Sequence, residues 1–316
     1  MLEERGDYGH AIPTLETAVD LYAASNPQPP EYGTTVGELA DAQFYTGRLD
    51  VSAALSQRAM EIDQRLSGSR HPSVADRLLT LAAIASVRER YEEAIDDDRK
   101  ALDILRAWYG GDHPQTASAM TILAQGLVHQ EQYDEAAALL TQSLDIQTRA
   151  YGPVNRHVSF VLNERGLLEQ RRNRFDAAEA DFSRALAINR VVFQGKHFRV
   201  ANSLQNLGGL YIARGQFDRG EALLREAIDL FVATLGTDHA NTAYARIKLG
   251  HTLVHEHRYA QAEAPLLEGY TALKRQSKPP ASTLKTAIDD LAVVYDAIGK
   301  PDRSQALRDE LGSSGQ

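Results

Sequence analysis

Cysteine is absent from the 316 residues, tryptophan occurs once and methionine three times. Without cysteine there is no disulfide framework, no thiolate nucleophile and no cysteine-based zinc site. No apolar run approaches the ~20 residues that cross a bilayer, and the opening MLEERGDYGH lacks the apolar core of a signal peptide. A cytoplasmic protein with no membrane partner is therefore expected. Lys and Arg number 34 against 43 Asp and Glu, a net charge of −9. That balance argues against nucleic acid as a partner, which calls for a basic face. Phosphate loops, dinucleotide fingerprints and nucleophile motifs are also missing. The expectation is no cofactor, no metal, no catalytic residue and no enzyme.

What the chain has in quantity is repetition. RERYEEAIDDDRKALDI, QEQYDEAAALLTQSLDI, RNRFDAAEADFSRALAI, RGQFDRGEALLREAIDL and EHRYAQAEAPLLEGYTA are versions of one segment. Their aromatic anchors Tyr91, Tyr133, Phe175, Phe217 and Tyr259 each follow the last by 42 residues. Leu49 and Pro301 extend the series as degenerate members, and Tyr8 begins a partial copy. Three residues past the anchors lie Ala11, Ser52, Ala94, Ala136, Ala178, Gly220, Ala262 and Ser304, small enough for helix backbones to approach closely. Seven past, Leu15, Leu140, Phe182, Leu224 and Leu266 fill the groove, with Ser56 and Asp98 departing. Ten before come Leu39, Leu81, Leu123, Leu207, Leu249 and Leu291. The spacing is that of helices, and no alternating strand-like run competes.

The pattern resembles the tetratricopeptide repeat (TPR), in the long 42-residue form of kinesin light chains and many bacterial signalling proteins. NLGGLYIARGQFDRGEALLREAI (Asn206 to Ile228) matches the Leu-Gly, Tyr, Gly-x-aromatic and small-residue signature almost throughout. The resemblance implies an all-α, right-handed superhelical solenoid of antiparallel helix pairs. It places a single array over residues 1–311: a partial unit at 1–31, six full units over about 32–275, and a degenerate capping unit over about 281–311. Residues 312–316 read as a flexible tail.

Between the copies recur SRHPSVA, GDHPQTA, GKHFRVA and TDHANTA, with His71, His113, His197 and His239 on the same lattice and Asn155 in the remaining copy. A catalytic group is needed once; a group present at nearly every junction serves the junction. The nearby Gly68, Gly110, Gly152, Gly195 and Gly236 suit a left-handed turn after a helix. Pro72 and Pro114 suit the first turn of the next helix, and the His or Asn before it is placed to cap exposed N–H groups.

Function is expected on a face that the stack leaves open. By the TPR resemblance the inner groove is lined from the first helix of each repeat. Its candidate contacts are Gln125, His129, Phe160, Asn163, Arg171, Asn202, Gln205, Tyr244, His251 and His255. Amides can bond a peptide backbone while apolar groups read side chains, so the expected function is a non-catalytic scaffold holding a peptide segment or partner protein. The alternative is a C-terminal regulatory or self-associating module of a larger signalling protein, such as a bacterial Ser/Thr kinase. The chain begins inside a repeat, which favours a longer native protein. The Lys and Asn clamp by which chaperone-binding TPR domains hold a C-terminal carboxylate has no counterpart: Thr34, Asp41, Asp76, Ala83, Ser118, Gln125 and Asn202 occupy its places.

Three features break the lattice. Arg165 stands where the other full repeats have Leu, and a buried Arg needs a carboxylate, expected in Glu169 or Glu131. The run QRRNR lies in the basic stretch 149–199, where ten Lys and Arg face five Asp and Glu. Arg171 and Arg172 there read either as a hot spot for an acidic ligand or as a tolerated ion pair on a solvated loop. His251 and His255, four apart on one helix face, have zinc-compatible spacing, with Asp289 and Asp296 as candidate completing groups. Their other reading is a peptide-contacting or solvated pair.

Overall fold

The computed structural model describes residues 8–276 and 279–314, in fifteen α-helices and no strand among the described residues. The helices are α1 (Tyr8–Ala24), α2 (Glu31–Tyr45), α3 (Leu49–Ser67), α4 (Pro72–Val87), α5 (Tyr91–Tyr109), α6 (Pro114–His129), α7 (Tyr133–Tyr151) and α8 (Arg156–Arg171). They continue as α9 (Phe175–Val192), α10 (Phe198–Ala213), α11 (Phe217–Leu235), α12 (Ala240–His255), α13 (Tyr259–Lys274), α14 (Ala281–Ala297) and α15 (Pro301–Ser314). The last helix thus runs past the expected boundary at 311, and 315–316 lie outside the described residues.

The chain divides after Val192 into two compact units. In the first, α2 pairs with α3, α4 with α5, α6 with α7 and α8 with α9. The second has the pairs α10 with α11, α12 with α13, and α14 with α15. Each pair packs on the next within its unit, so each unit is a stack of antiparallel helix pairs.

Packing follows the lattice closely. Ser52, Ala94, Ala136, Ala178, Gly220, Ala262 and Ser304, three past the anchors, are all buried. Where this residue is Ser, its hydroxyl donates to a carbonyl of the partner helix: Ser52 to Ala40 at 2.8 Å and Ser304 to Ala292 at 3.2 Å. The hydroxyl thus replaces a methyl without leaving an unpaired polar atom. Seven past, Leu140, Phe182, Leu224 and Leu266 are fully enclosed. The larger Phe182 is accommodated because Gly166 faces it; a Cβ there would lie 2.5 Å from the ring.

The recurring histidines do cap. The backbone N–H groups of Ser73, Gln115, Arg199 and Asn241 donate to Nδ1 of His71, His113, His197 and His239 at 3.1–3.3 Å, and His157 N–H donates to Asn155 Oδ1 at 2.9 Å. Each gives a first-turn N–H of its helix an acceptor that the helix itself does not supply. Tyr109 stacks on His113 and Phe193 on His197, each with centroids 4.3 Å apart. Gly68, Gly110, Gly152 and Gly236 have φ of 80–95° as expected, yet with ψ of 156–167°. This region belongs to glycine alone, outside the left-handed helical well. That well is used instead inside each hairpin, two residues before the anchor, by Gly47, Glu89, Glu131, Asn173, Gly215, His257 and Gly299.

Candidate functional site: the first-helix face

The first helices of consecutive pairs touch: α2 with α4, α4 with α6, α6 with α8, α10 with α12 and α12 with α14. Second helices do not approach one another to this extent among the described residues. Like helices lie closest on the inner side of a curved stack, so the first-helix face is the inner face of each unit.

On that face one register step recurs. The residue eight before one anchor meets the residue eleven before the next, thirty-nine positions on. In the first unit Thr80 Oγ1 donates to Asp41 Oδ1 at 2.8 Å. Gln125 likewise hydrogen-bonds Glu164, whose carboxyl burial pushes up to about 7 against that bond. In the second unit Lys248 lies over Gly209, its Nζ 2.3 Å from where a Cβ would stand. One repeat later, His251 Nδ1 lies 2.7 Å from Asp290 Oδ2.

The expected contacts divide into several groups. Gln125, Phe160, Asn202, Gln205, Tyr244 and His251 are half-buried on their first helices. Asn163 is only 8% exposed, and its Nδ2 donates to Ser159 O within α8 at 3.0 Å. Gln205 Oε1 is enclosed and accepts no hydrogen bond among the described residues. His129 stacks on Tyr91 with centroids 4.4 Å apart, and burial, then the Arg171 charge, hold its pKa below the usual value. Near the start of the chain the face is acidic. Asp76 is pushed up to about 6, chiefly by burial, with Arg77 opposing and Asp41 and Asp63 adding to the rise.

The lattice breaks resolve differently from expectation. Arg165 pairs with Asp181, not with Glu169 or Glu131: Nε lies 2.7 Å from Oδ2 and Nη2 2.6 Å from Oδ1. Antiparallel packing of α8 on α9 brings the position ten before the anchor against the position six after it. Glu169 instead meets Arg174 at 3.4 Å. Arg172 pairs with Asp134 of the preceding repeat at 2.6 Å. Arg171 is exposed and makes no ion pair among the described residues. Asp289 and Asp296 do not join the histidine pair; they bind Lys285 at 2.7 Å and Arg308 at 2.5 Å. Asp290, Asp181 and Glu164 are the residues that the sequence reading missed. Their one sequence signal is that each polar intrusion has a polar counterpart sixteen or thirty-nine residues away.

A tetratricopeptide repeat family model matches residues 76–149, 157–231 and 199–275, together well over half of the chain. The chain belongs to the tetratricopeptide repeat family. Among solved structures, this TPR chain is similar to BtubC (BKLC) from P. vanneervenii, at 23% identity over 74% of this chain and 92% of that one, with a TM-score of 0.54. It is similar to a Rap protein complexed with competence and sporulation factor, at 14% identity over 99% and 94% of the two chains, with a TM-score of 0.67. A Podosopora anserina putative kinesin light chain with nearly identical TPR-like repeats aligns at 20% identity over 65% and 97%, with a TM-score of 0.49. No curated protein matches the chain in sequence. Among the described residues no helix is long and apolar enough to cross a membrane. TPR arrays are in general protein-interaction scaffolds, and no enzyme family is indicated.

Proposed function

We propose that the first-helix face holds an extended segment of a partner protein and that the TPR array acts as a non-catalytic scaffold. The observation that carries this is a set of half-buried amide and aromatic side chains on the first-helix face of the second unit, Asn202 and Gln205 of α10 with Tyr244 of α12. Half-buried amides can bond the backbone of an extended segment while aromatic and aliphatic groups meet its side chains. In the likeness of full length, the Rap protein is complexed with competence and sporulation factor, which supports the same use of the fold here. Within the first unit, Arg171 makes no ion pair among the described residues and is by itself the proposed contact for an acidic ligand.

Selecting a random peptide library on the purified chain tests this reading. Bound peptides should lose affinity at least tenfold for a Gln205→Ala, Asn202→Ala, Tyr244→Ala variant and keep it for an Arg225→Ala change on the second-helix face. Peptides that bind the triple variant as well as the parent would overturn it.

A second reading, self-association, has its own observation. Leu66, Trp108 and Val192 share one register position at the ends of α3, α5 and α9, and all three are exposed, Trp108 by 55%. Light scattering should report a species larger than one chain that Trp108→Glu returns to a monomer; a monomeric parent would end this reading.

A further inference from the structure

His251 and His255 sit one turn apart on α12, their rings edge-on at 81° with centroids 4.5 Å apart. Their Nε2 atoms are 3.1 Å from each other. The other nitrogen of His251 is committed to Asp290 Oδ2 at 2.7 Å, a carboxylate that is 12% exposed and carried by α14. That bond places the proton of neutral His251 on Nδ1 and leaves the Nε2 lone pair directed at His255. His255 is exposed and His251 is 43% exposed at its side chain, so solvent reaches the point between them.

We propose that these two Nε2 atoms chelate a divalent transition-metal ion of the zinc, nickel or copper class, with Asp290 as the positioning residue. Metal–imidazole bonds of ~2.0–2.1 Å spanning the observed separation subtend about 100°, between octahedral and tetrahedral angles. A ligating histidine whose second nitrogen donates to a carboxylate is the arrangement that fixes ring orientation and raises ligand basicity. Without an ion the same contact is a hydrogen bond from His255 Nε2–H to His251 Nε2. Binding moves the His255 proton to Nδ1 and releases none. Lys248, one turn earlier on α12, is laid over Gly209 of α10 and so turns its charge towards α10. Asp289 and Asp296 are taken by Lys285 and Arg308. Among the described residues no third ligating side chain completes a cluster. The remaining coordination positions are therefore open to water, or to a carboxylate brought by another molecule.

Calorimetric titration of NiCl2 and ZnCl2 into the full chain, stripped with EDTA and dialysed, tests the proposal without any peptide. One saturable site is expected, tighter for nickel than for cobalt, following the general affinity order. His255→Ala, at an exposed position, should abolish it while leaving the melting temperature of the metal-free protein unchanged. Asp290→Asn should weaken it by 10–100-fold. Cobalt(II) absorption bands should appear in the parent and vanish in His255→Ala. Absence of saturable binding, or binding that survives His255→Ala, overturns the site. Affinity unchanged in Asp290→Asn overturns the role given to that carboxylate. Each outcome is independent of whether peptides bind the inner face.

Discussion

Asp290 follows His251 by thirty-nine residues, and their 2.7 Å contact repeats the register step that joins Thr80 to Asp41 in the first unit. The hydrogen bond to Asp290, then its charge, raise the pKa of His251, while burial opposes the rise. A histidine whose folded pKa lies above the ordinary value adds stability that is complete below about 6.5 and fades as pH rises through the folded value. In Asp290→Asn, NMR titration should find the His251 midpoint lowered, and the gain in melting temperature from pH 8 to pH 6 should shrink. Identical midpoints in parent and variant would show that the contact is not made.

Asp98 occupies a core position that is Leu or Phe in most repeats; it is 2% exposed, and its Oδ1 lacks a partner among the described residues. Burial, then the neighbouring Asp97, push its pKa up to about 8. For a carboxyl raised in the folded state, stability is full below the unfolded value near 4 and falls as pH climbs through the folded one. Asp98→Leu should therefore stabilise the protein by about 1–3 kcal/mol at neutral pH. It should also flatten the loss between pH 4 and 8 measured by urea denaturation. A destabilised variant with the parent's pH profile would contradict the burial of this group.

Arg165 and Asp181 form a two-point ion pair in place of two apolar lattice residues. Removing either partner alone leaves a charge in a largely enclosed site, so Arg165→Leu and Asp181→Leu should each cost about 3 kcal/mol. The double variant restores Leu, as at Leu123 and Leu139, and should recover most of the loss. Additive single effects in a double-mutant cycle would exclude the coupling.

His113 caps α6 through Gln115 N–H at 3.2 Å. His113→Ala should lower stability by about 0.5–2 kcal/mol, whereas His113→Asn, the solution already present at Asn155, should restore most of it. Thermal melts of the two variants decide this; equal losses would mean that the ring matters for its stack on Tyr109 more than for its cap.

His197 is the most enclosed of the capping rings. Burial, then the charge of Arg199, push its pKa down to about 4. A depressed histidine contributes stability above about 6.5 that is lost as pH falls towards the folded value. His197→Asn should therefore lose less stability than the parent between pH 6.5 and 4 in guanidinium denaturation; parallel profiles would rule out this proton.

Much of the fold is legible in the sequence because it rests on local chemistry. The 42-residue period sets the hairpins, small residues mark where backbones touch, and His or Asn before a helix announces a cap. The pairing of Arg165 was misread because distance along the chain was a poor guide: Glu169 is nearer in sequence, yet antiparallel packing delivers Asp181. Asn163, an expected groove contact, donates its Nδ2 to Ser159 O one turn earlier in its own helix.

The sequence by itself determined the period, the helix ends and the small-residue seams, since each depends on neighbours within a turn or two of helix. Only the tertiary structure decided which polar exceptions meet. His251 with Asp290, Asp41 with Thr80 and Arg165 with Asp181 depend on how helices are offset when they pack. That offset is set by the interlocking of whole side-chain surfaces, not by any one residue.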